Sequence, residues 1–160
     1  MMLKQLSAIR LFFILAATIF IAACSEQTTG PVEVKWDRDS CERCRMMLSD
    51  RDYSAQIRVF PEGKRSKVFR FDDVGCATLW LDASEWKDNQ QTEIWVRSFK
   101  EDKWIDAKTA WYIKGKVTPM GYGLGAQSEK QADAIDFIQA KKHIVEVEKK
   151  FNIHGGSYNH

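Results

Sequence analysis

Two stretches of alternating apolar and polar residues, 57–60 and 67–71, lie near the middle of the chain. A period of two is typical of β-strands, so each stretch predicts a strand. The five residues between them, Pro61-Glu-Gly-Lys-Arg65, are rich in turn formers and predict the connection. Residues 93–97 return to the same alternation and predict a third strand.

A helical period separates the second and third predicted strands. A helix is predicted over 73–81, and Asp72 immediately before it belongs to the residue types that cap helix N-termini. One face of this helix carries the apolar side chains expected to meet a core, namely Val74, Ala77, Trp80 and Leu81.

The second half of the chain loosely repeats this order. Residues 103–106 and 111–114 predict two short strands, and Ser128-Glu-Lys-Gln131 is a capping-box start for a helix running to about residue 139. Residues 143–151 are compatible with either a strand or a helix. We therefore predict an α+β fold: a small two-part domain of antiparallel strands with helices, compatible with a diverged duplication of a ββαβ-type unit.

The N-terminus has the pattern of an export signal over residues 1–23. Two basic residues precede an apolar run over 11–21, and two alanines lead to Cys24. The run of about 11 residues is too short to span a bilayer as a helix, which needs about 20. A cysteine at this point resembles a bacterial lipobox, which implies cleavage before Cys24 and lipidation of its thiol. The alternative is an ordinary secretory signal in which Cys24 is incidental.

A lipidated Cys24 predicts the location of the protein. Two or three acyl chains on one residue exceed what stable anchoring requires. We expect a chain anchored to a membrane and facing the periplasm, and Ser25 after the cysteine favours the outer membrane. Residues 24–31 are then a polar tether, 32–151 the folded domain and 152–160 a tail predicted to be mobile.

The charge balance argues against a nucleic-acid partner. The signal contains two of the 24 basic residues and none of the 22 acidic ones, so the mature chain is neutral. A neutral domain has no basic field to attract a phosphate backbone.

The sulfur-rich stretch Cys41-Glu-Arg-Cys44-Arg-Met46-Met47 is the main candidate for chemistry. Thiols and thioethers are soft ligands that suit Cu(I) better than harder ions. With Cys24 lipidated, Cys41, Cys44 and Cys76 remain, an odd number for an oxidising compartment. At least one thiol is therefore free, bound to metal or paired between chains.

Other interpretations of the two spaced cysteines stay open at this point. A structural disulfide between Cys41 and Cys44 is one, and a thiol-disulfide oxidoreductase using the same pair is another. A zinc site usually takes four protein ligands, and beyond Cys76 no fourth soft residue is evident. On an apolar helix face, Cys76 is also compatible with a core thiol.

A second candidate is the glycine-rich segment 118–126, which contains Pro119-Met120-Gly121. Its glycines allow the backbone to fold tightly around Met120, and Pro119 restricts the loop. The thioether of Met120 is then a candidate distant ligand for the cysteine region. The alternative is that the glycines serve a strand bend and that Met120 is buried.

Several short motifs together resemble the NosL family, lipoproteins that assist maturation of nitrous oxide reductase. These motifs occur in the same order as in the family, and the resemblance covers residues 41–134. The motifs are the Cys41–Met46 motif, Tyr53-Ser-Ala-Gln56, Phe71-Asp-Asp-Val-Gly-Cys76, Trp104-Ile-Asp106 and Pro119-Met120-Gly121. The lipobox-like signal is shared as well. The family usually has glycine at the position of Arg45.

The resemblance implies a membrane-tethered periplasmic chaperone, not an enzyme, that binds Cu(I) and delivers it to an acceptor such as nitrous oxide reductase. It implies Cys44, Met46 and Met120 as metal ligands, with Cys41 as the accompanying cysteine. We hold Met47 and Cys76 as reserve ligands.

Overall fold

The computed structural model describes residues 28–155, with side chains as far as Phe151. The predicted signal, the lipidation site Cys24 and the last five residues lie outside the described residues. Within the described part of the chain, no helix is both long and apolar enough to cross a bilayer.

A four-stranded antiparallel sheet forms the larger part of the fold. Its strands are β1 (Ala55–Val59), β2 (Lys67–Phe71), β3 (Glu93–Arg97) and β4 (Trp104–Asp106), in the order β2-β1-β3-β4. The central strand β1 is buried along its whole length, with Ala55 opposite Phe71 on one side and Val96 on the other. The predicted strands are therefore confirmed, with β1 beginning two residues earlier.

Helix α1 (Val74–Asp82) packs against β1 and β2. Its N-cap is Asp73, whose backbone is extended and whose carboxylate accepts the N–H of Gly75 at 2.8 Å. The prediction that Asp72 caps this helix is wrong. Asp72 lies one residue before the cap, and its carboxylate accepts a hydrogen bond from a cysteine thiol instead.

A separate hairpin consists of β5 (Trp111–Lys114) and β6 (Leu124–Gln127). Sequence analysis predicted β5. For the glycine-rich region of β6 it left open a tight loop around Met120 and a strand bend. Strand β6 is completely buried, and Gly125 is required there because a Cβ would lie 2.9 Å from the ring of Phe99.

The last element is a long helix, α2 (Phe137–Gly155). The predicted helix start at Ser128 is wrong, because the Ser128 hydroxyl donates to Glu101 in a loop. The capping box lies eight residues later: the N–H of Gln139 donates to the Asp136 carboxylate at 2.8 Å, and the N–H of Asp136 donates to Gln139 Oε1 at 3.1 Å. Residues 143–151 are helical, and 152–155, the start of the predicted tail, end this helix.

The α+β class with antiparallel strands is confirmed. The first part follows the order ββαβ, whereas β4 to β6 and α2 follow a different order in the described residues. The diverged duplication therefore stays a prediction.

The chain is already bound to the sheet at its first described residues. Gln56 exchanges two hydrogen bonds with the backbone of Val32, at 2.8 and 2.9 Å, and Arg58 donates to the carbonyl of Gly30 at 2.9 Å. Hydrogen bonds from Arg58 and Ser66 to Thr28 extend this attachment to the first described residue, within the segment that the sequence assigned to the tether.

Candidate metal site

A tight turn brings Cys41 and Cys44 together. The N–H of Arg45 donates to the carbonyl of Cys41 at 3.0 Å, and the N–H of Cys41 donates to the carbonyl of Met46 at 2.8 Å. The N–H of Cys44 lies 3.5 Å from the sulfur of Cys41. The turn is attached to the sheet because the N–H of Glu42 donates to the carbonyl of Arg70 in β2 at 2.8 Å.

The end of β2 and the start of α1 add two more side chains to this turn. Asp72 and Cys76 join Cys41 and Cys44 so that one potential ligand atom of each lies within 4.8 Å of the others. The Cys44 thiol donates to the two carboxylate oxygens of Asp72 at 3.3 and 3.4 Å. We call these four residues the thiol cluster. All three of its cysteines are free thiols.

Three members of the thiol cluster are buried. Cys41 and Cys76 are fully buried, and Asp72 is 2% exposed. Cys44 is only partly buried and is therefore the most exposed member of the cluster. The shortest way for an ion to reach the cluster from the surface is thus expected at Cys44.

The hydrogen bonds among the thiols divide their protonation states. Hydrogen bonding with Cys44, and then with Cys76, lowers the pKa of Cys41 well below its usual range. Hydrogen bonding with Cys41, and then with Cys44, raises the pKa of Cys76 far above its usual range. Hydrogen bonding with Cys41 also raises the pKa of Cys44 to about 12. The three thiols therefore titrate as a coupled group. Metal binding requires thiolates, so it releases the protons that these thiols still hold.

Asp72 has little solvent to stabilise its charge. Burial, and then its hydrogen bond and charge repulsion with Cys41, raise the pKa of its carboxyl to about 7. Burial likewise raises the pKa of Asp73, the helix cap. A carboxylate oxygen is a harder ligand than a thiolate, so Asp72 suits hydrogen bonding to a thiol better than coordination of Cu(I).

An ion pair fastens the cysteine turn to α2. Arg43 donates to Tyr122 Oη at 3.0 Å and to Glu148 at 2.7 Å, and the Tyr122 hydroxyl donates to Glu148 at 2.6 Å. The ring of Tyr122 lies so close to α1 that a Cβ on Gly75 would be 2.1 Å from it. Three parts of the chain therefore meet beside Cys76.

The predicted methionine ligands lie in different surroundings. Met46 and Met47 are 51% and 54% exposed. Met120 is partly buried against the core, and its N–H donates to the Asp73 carboxylate at 3.3 Å, which the Thr118 hydroxyl also reaches at 2.6 Å. The Met120 loop is thus attached to the residue next to Asp72. The ligand roles of Met46, Met47 and Met120 stay predictions.

A protein-family model matches most of the described strands and helices. The model of the NosL family matches residues 31–148. The chain belongs to the NosL family. The crystal structure of the copper chaperone NosL from Shewanella denitrificans is similar at 17% sequence identity and a TM-score of 0.44, covering 76% of this chain and 88% of that one. No curated protein matches the chain in sequence.

The NosL-family match includes Arg45, where the sequence resemblance leads us to expect glycine. Arg45 has a φ of +64°, the left-handed conformation that glycine adopts most readily. Arginine at this position therefore keeps the turn at some cost in backbone strain.

Within this NosL-family chain, Asp72 is the cluster member that sequence reasoning missed. The available signal was the pair Asp72-Asp73, because a helix has a single N-cap and the second carboxylate needs another partner. Cys76, held in reserve, takes a place beside Cys41 and Cys44 because the first turn of α1 directs it there.

Proposed function

We propose that this NosL-family protein binds Cu(I) at the thiol cluster and passes it to an acceptor protein. The observation that carries the proposal is the convergence of Cys41, Cys44 and Cys76 within 4.8 Å of one another. Thiolates are the protein ligands that Cu(I) prefers. Partial exposure of Cys44 gives an acceptor a route to the ion, which a fully closed cage would deny.

The proposal extends to the place of action and the client. The lipobox-like sequence at Cys24 supports a lipid anchor facing the periplasm, in the outer membrane of a cell with two membranes. Membership of the NosL family supports nitrous oxide reductase as the acceptor. Met46 and Met120 then supply thioethers that an ion meets as it enters or leaves.

The first experiment measures Cu(I) affinity of the reduced protein against a competing chelator. We expect an affinity tighter than micromolar, with a loss of at least tenfold in Cys41→Ser, Cys44→Ser and Cys76→Ser. Met46→Leu, Met47→Leu and Met120→Leu separate thiolate from thioether ligation, because leucine keeps most of the bulk of methionine and lacks its sulfur. Thermal unfolding of each metal-free variant shows that it is folded. Affinity weaker than micromolar, or unchanged by Cys44→Ser, contradicts the proposal.

A thiol-disulfide oxidoreductase is the alternative from the sequence, and the thiol cluster does not favour it. Such an enzyme needs an accessible thiol with a lowered pKa. Here Cys41 is fully buried, and hydrogen bonding with Cys41 raises the pKa of the partly exposed Cys44 to about 12. We expect Cys41→Ser and Cys44→Ser to change copper binding, with no disulfide reductase activity to lose.

A further inference from the structure

The described chain begins four residues after the predicted lipid-bearing Cys24. The Ser66 hydroxyl donates to the carbonyl of Thr28 at 3.3 Å, and Arg58 lies 3.4 Å from the Thr28 hydroxyl and 2.7 Å from that of Ser66. Four residues span at most about 14 Å when fully extended. The end of the sheet at Ser66 is therefore close to any surface that holds Cys24.

The thiol cluster lies at the opposite end of the same strand. β2 leads from Lys67, next to Ser66, to Phe71, and Asp72 follows directly. The six steps along the extended chain from Ser66 to Asp72, at about 3.3 Å each, separate the two ends by about 20 Å. The turn that contains Cys41 and Cys44 is at the cluster end too, because the N–H of Glu42 donates a hydrogen bond to the carbonyl of Arg70.

The surface at the Ser66 end carries cations suited to an anionic bilayer. Lys64, Arg65 and Lys67 are all exposed, and Glu62 is the one acidic residue of 60–67. Glu85, after α1, lines the groove beside these residues, so the surface is moderately and not strongly basic. Lysine and arginine beside an anionic leaflet are attracted to its headgroups.

We propose that the β1–β2 connection, residues 60–66, contacts the anionic phospholipid headgroups of the leaflet that holds Cys24. The thiol cluster then points away from the membrane, and Cys44 faces the aqueous space in which a soluble acceptor approaches. This orientation rests on lipidation of Cys24 and not on copper binding.

The test uses the full-length lipidated protein in nanodiscs of 30% phosphatidylglycerol and 70% phosphatidylcholine. Mass spectrometry first establishes the acyl groups on Cys24. A water-soluble acylating reagent then gives the modification rates of Lys64 and Lys67, with Lys142 and Lys149 on the exposed side of α2 as internal references. The matched variant carries ten Gly/Ser residues inserted between Gln27 and Thr28, which lengthen the tether and leave the domain unchanged.

We expect Lys64 and Lys67 to react at least threefold more slowly in the natural protein than in the insertion variant, with Lys142 and Lys149 equal in both. Lys64→Gln/Arg65→Gln should bring the rate at Lys67 closer to that of the insertion variant. Equal rates at Lys64 and Lys67, protection of the α2 lysines instead, or an unacylated Cys24 would each overturn the orientation. The outcome is separable from copper binding, because Cys44→Ser loses copper and keeps the lysine protection.

Discussion

Asp72 and Asp73 are adjacent and chemically identical, yet their carboxylates meet different partners. Asp73 accepts hydrogen bonds from the N–H groups of Gly75 and Met120 and from the Thr118 hydroxyl. Asp72 accepts from the Cys44 thiol. At the residue scale, the site thus depends on which of two neighbouring carboxylates caps the helix and which one faces the sulfurs.

The raised pKa of Asp72 predicts how the stability of the metal-free protein changes with pH. A carboxyl whose folded pKa of about 7 exceeds its unfolded value stabilises the fold at low pH, and this stability is lost as pH rises toward 7. We expect the contribution of Asp72 to the free energy of unfolding to fall between pH 4 and 7, by at most about 1.4 kcal/mol per pH unit for one proton. Cys41 and Asp73 also have shifted pKa values, so the contribution of Asp72 is the difference between the natural protein and a variant without this carboxyl.

The matched variants for this prediction are Asp72→Asn and Asp82→Asn. Relative to the natural protein, Asp72→Asn should gain stability as the pH rises from 4 to 8, whereas the difference between the natural protein and Asp82→Asn, at the surface end of α1, should stay constant. Urea unfolding at pH 4, 6 and 8 measures all three. An unchanged slope in Asp72→Asn would show that other groups set the pH dependence.

Arg45 gives a second prediction at this scale. Its left-handed backbone is strained for any residue with a Cβ, at a cost of about 1 kcal/mol or more. Its ion pair with Glu42 is exposed, with 3.6 Å between the charged atoms, and adds little to the stability of the fold. We expect Arg45→Gly to raise the free energy of unfolding by about 1 kcal/mol.

Arg45→Ala is the control for this prediction, because it removes the ion pair and retains the strain. Its stability should equal or fall below that of the natural protein. If glycine and alanine have the same effect in urea unfolding, the backbone conformation is not the cause.

At the scale of elements, α1 owes its position to a close contact with the segment that precedes β6. Gly75 in the first turn of α1 faces the ring of Tyr122, whose hydroxyl is bonded to Arg43 and Glu148. Because Cys76 follows Gly75 directly, this contact also fixes the depth at which Cys76 enters the thiol cluster.

We therefore expect Gly75→Ala to destabilise the protein by about 3 kcal/mol, since its Cβ would overlap the buried Tyr122 ring and force one element to move. Chemical denaturation measures the loss. The double variant Gly75→Ala/Tyr122→Leu should cost less than the sum of the two single changes, because leucine relieves the overlap. If the stability loss of the double variant equals the sum of the two single losses, the Cβ at position 75 does not overlap the Tyr122 ring.

At the scale of the whole molecule, the thiol cluster joins parts of the chain that are far apart in sequence. Cys41 and Cys44 lie before the sheet begins, whereas Asp72 lies between β2 and α1 and Cys76 lies in the first turn of α1. A metal held by both groups links them in the folded state only, so metal binding must stabilise the fold.

We expect Cu(I) at 100 times its dissociation constant to add about 2.7 kcal/mol to the stability of the reduced protein. A disulfide between any two cluster thiols leaves one thiolate, so the oxidised protein should gain little. Thermal unfolding with and without Cu(I), with free thiols counted before each scan, compares the two states. Equal stabilisation of oxidised and reduced protein would assign the metal to the methionines.

The sequence by itself determined the local elements and the sulfur chemistry. Alternation in 67–71 and 93–97 and the helical period after Asp73 depend on neighbouring residues, so they are visible without a structure. The Cys41–Met46 stretch and the order of motifs likewise identified the NosL family before any contact was known.

Only the tertiary structure decided which side chains meet. Strand β6 is buried by contacts with β5 and Phe99, and these overcome the weak strand preference of its glycine. Two capping-box sequences were available, and packing selected the one at Asp136. Cys76 and Asp72 reach Cys41 and Cys44 across about 30 residues of chain, through the pairing of β1 with β2 and the attachment of Glu42 to Arg70. Long-range contacts of this kind leave no periodic trace in a sequence, which is why the thiol cluster appeared only in the fold.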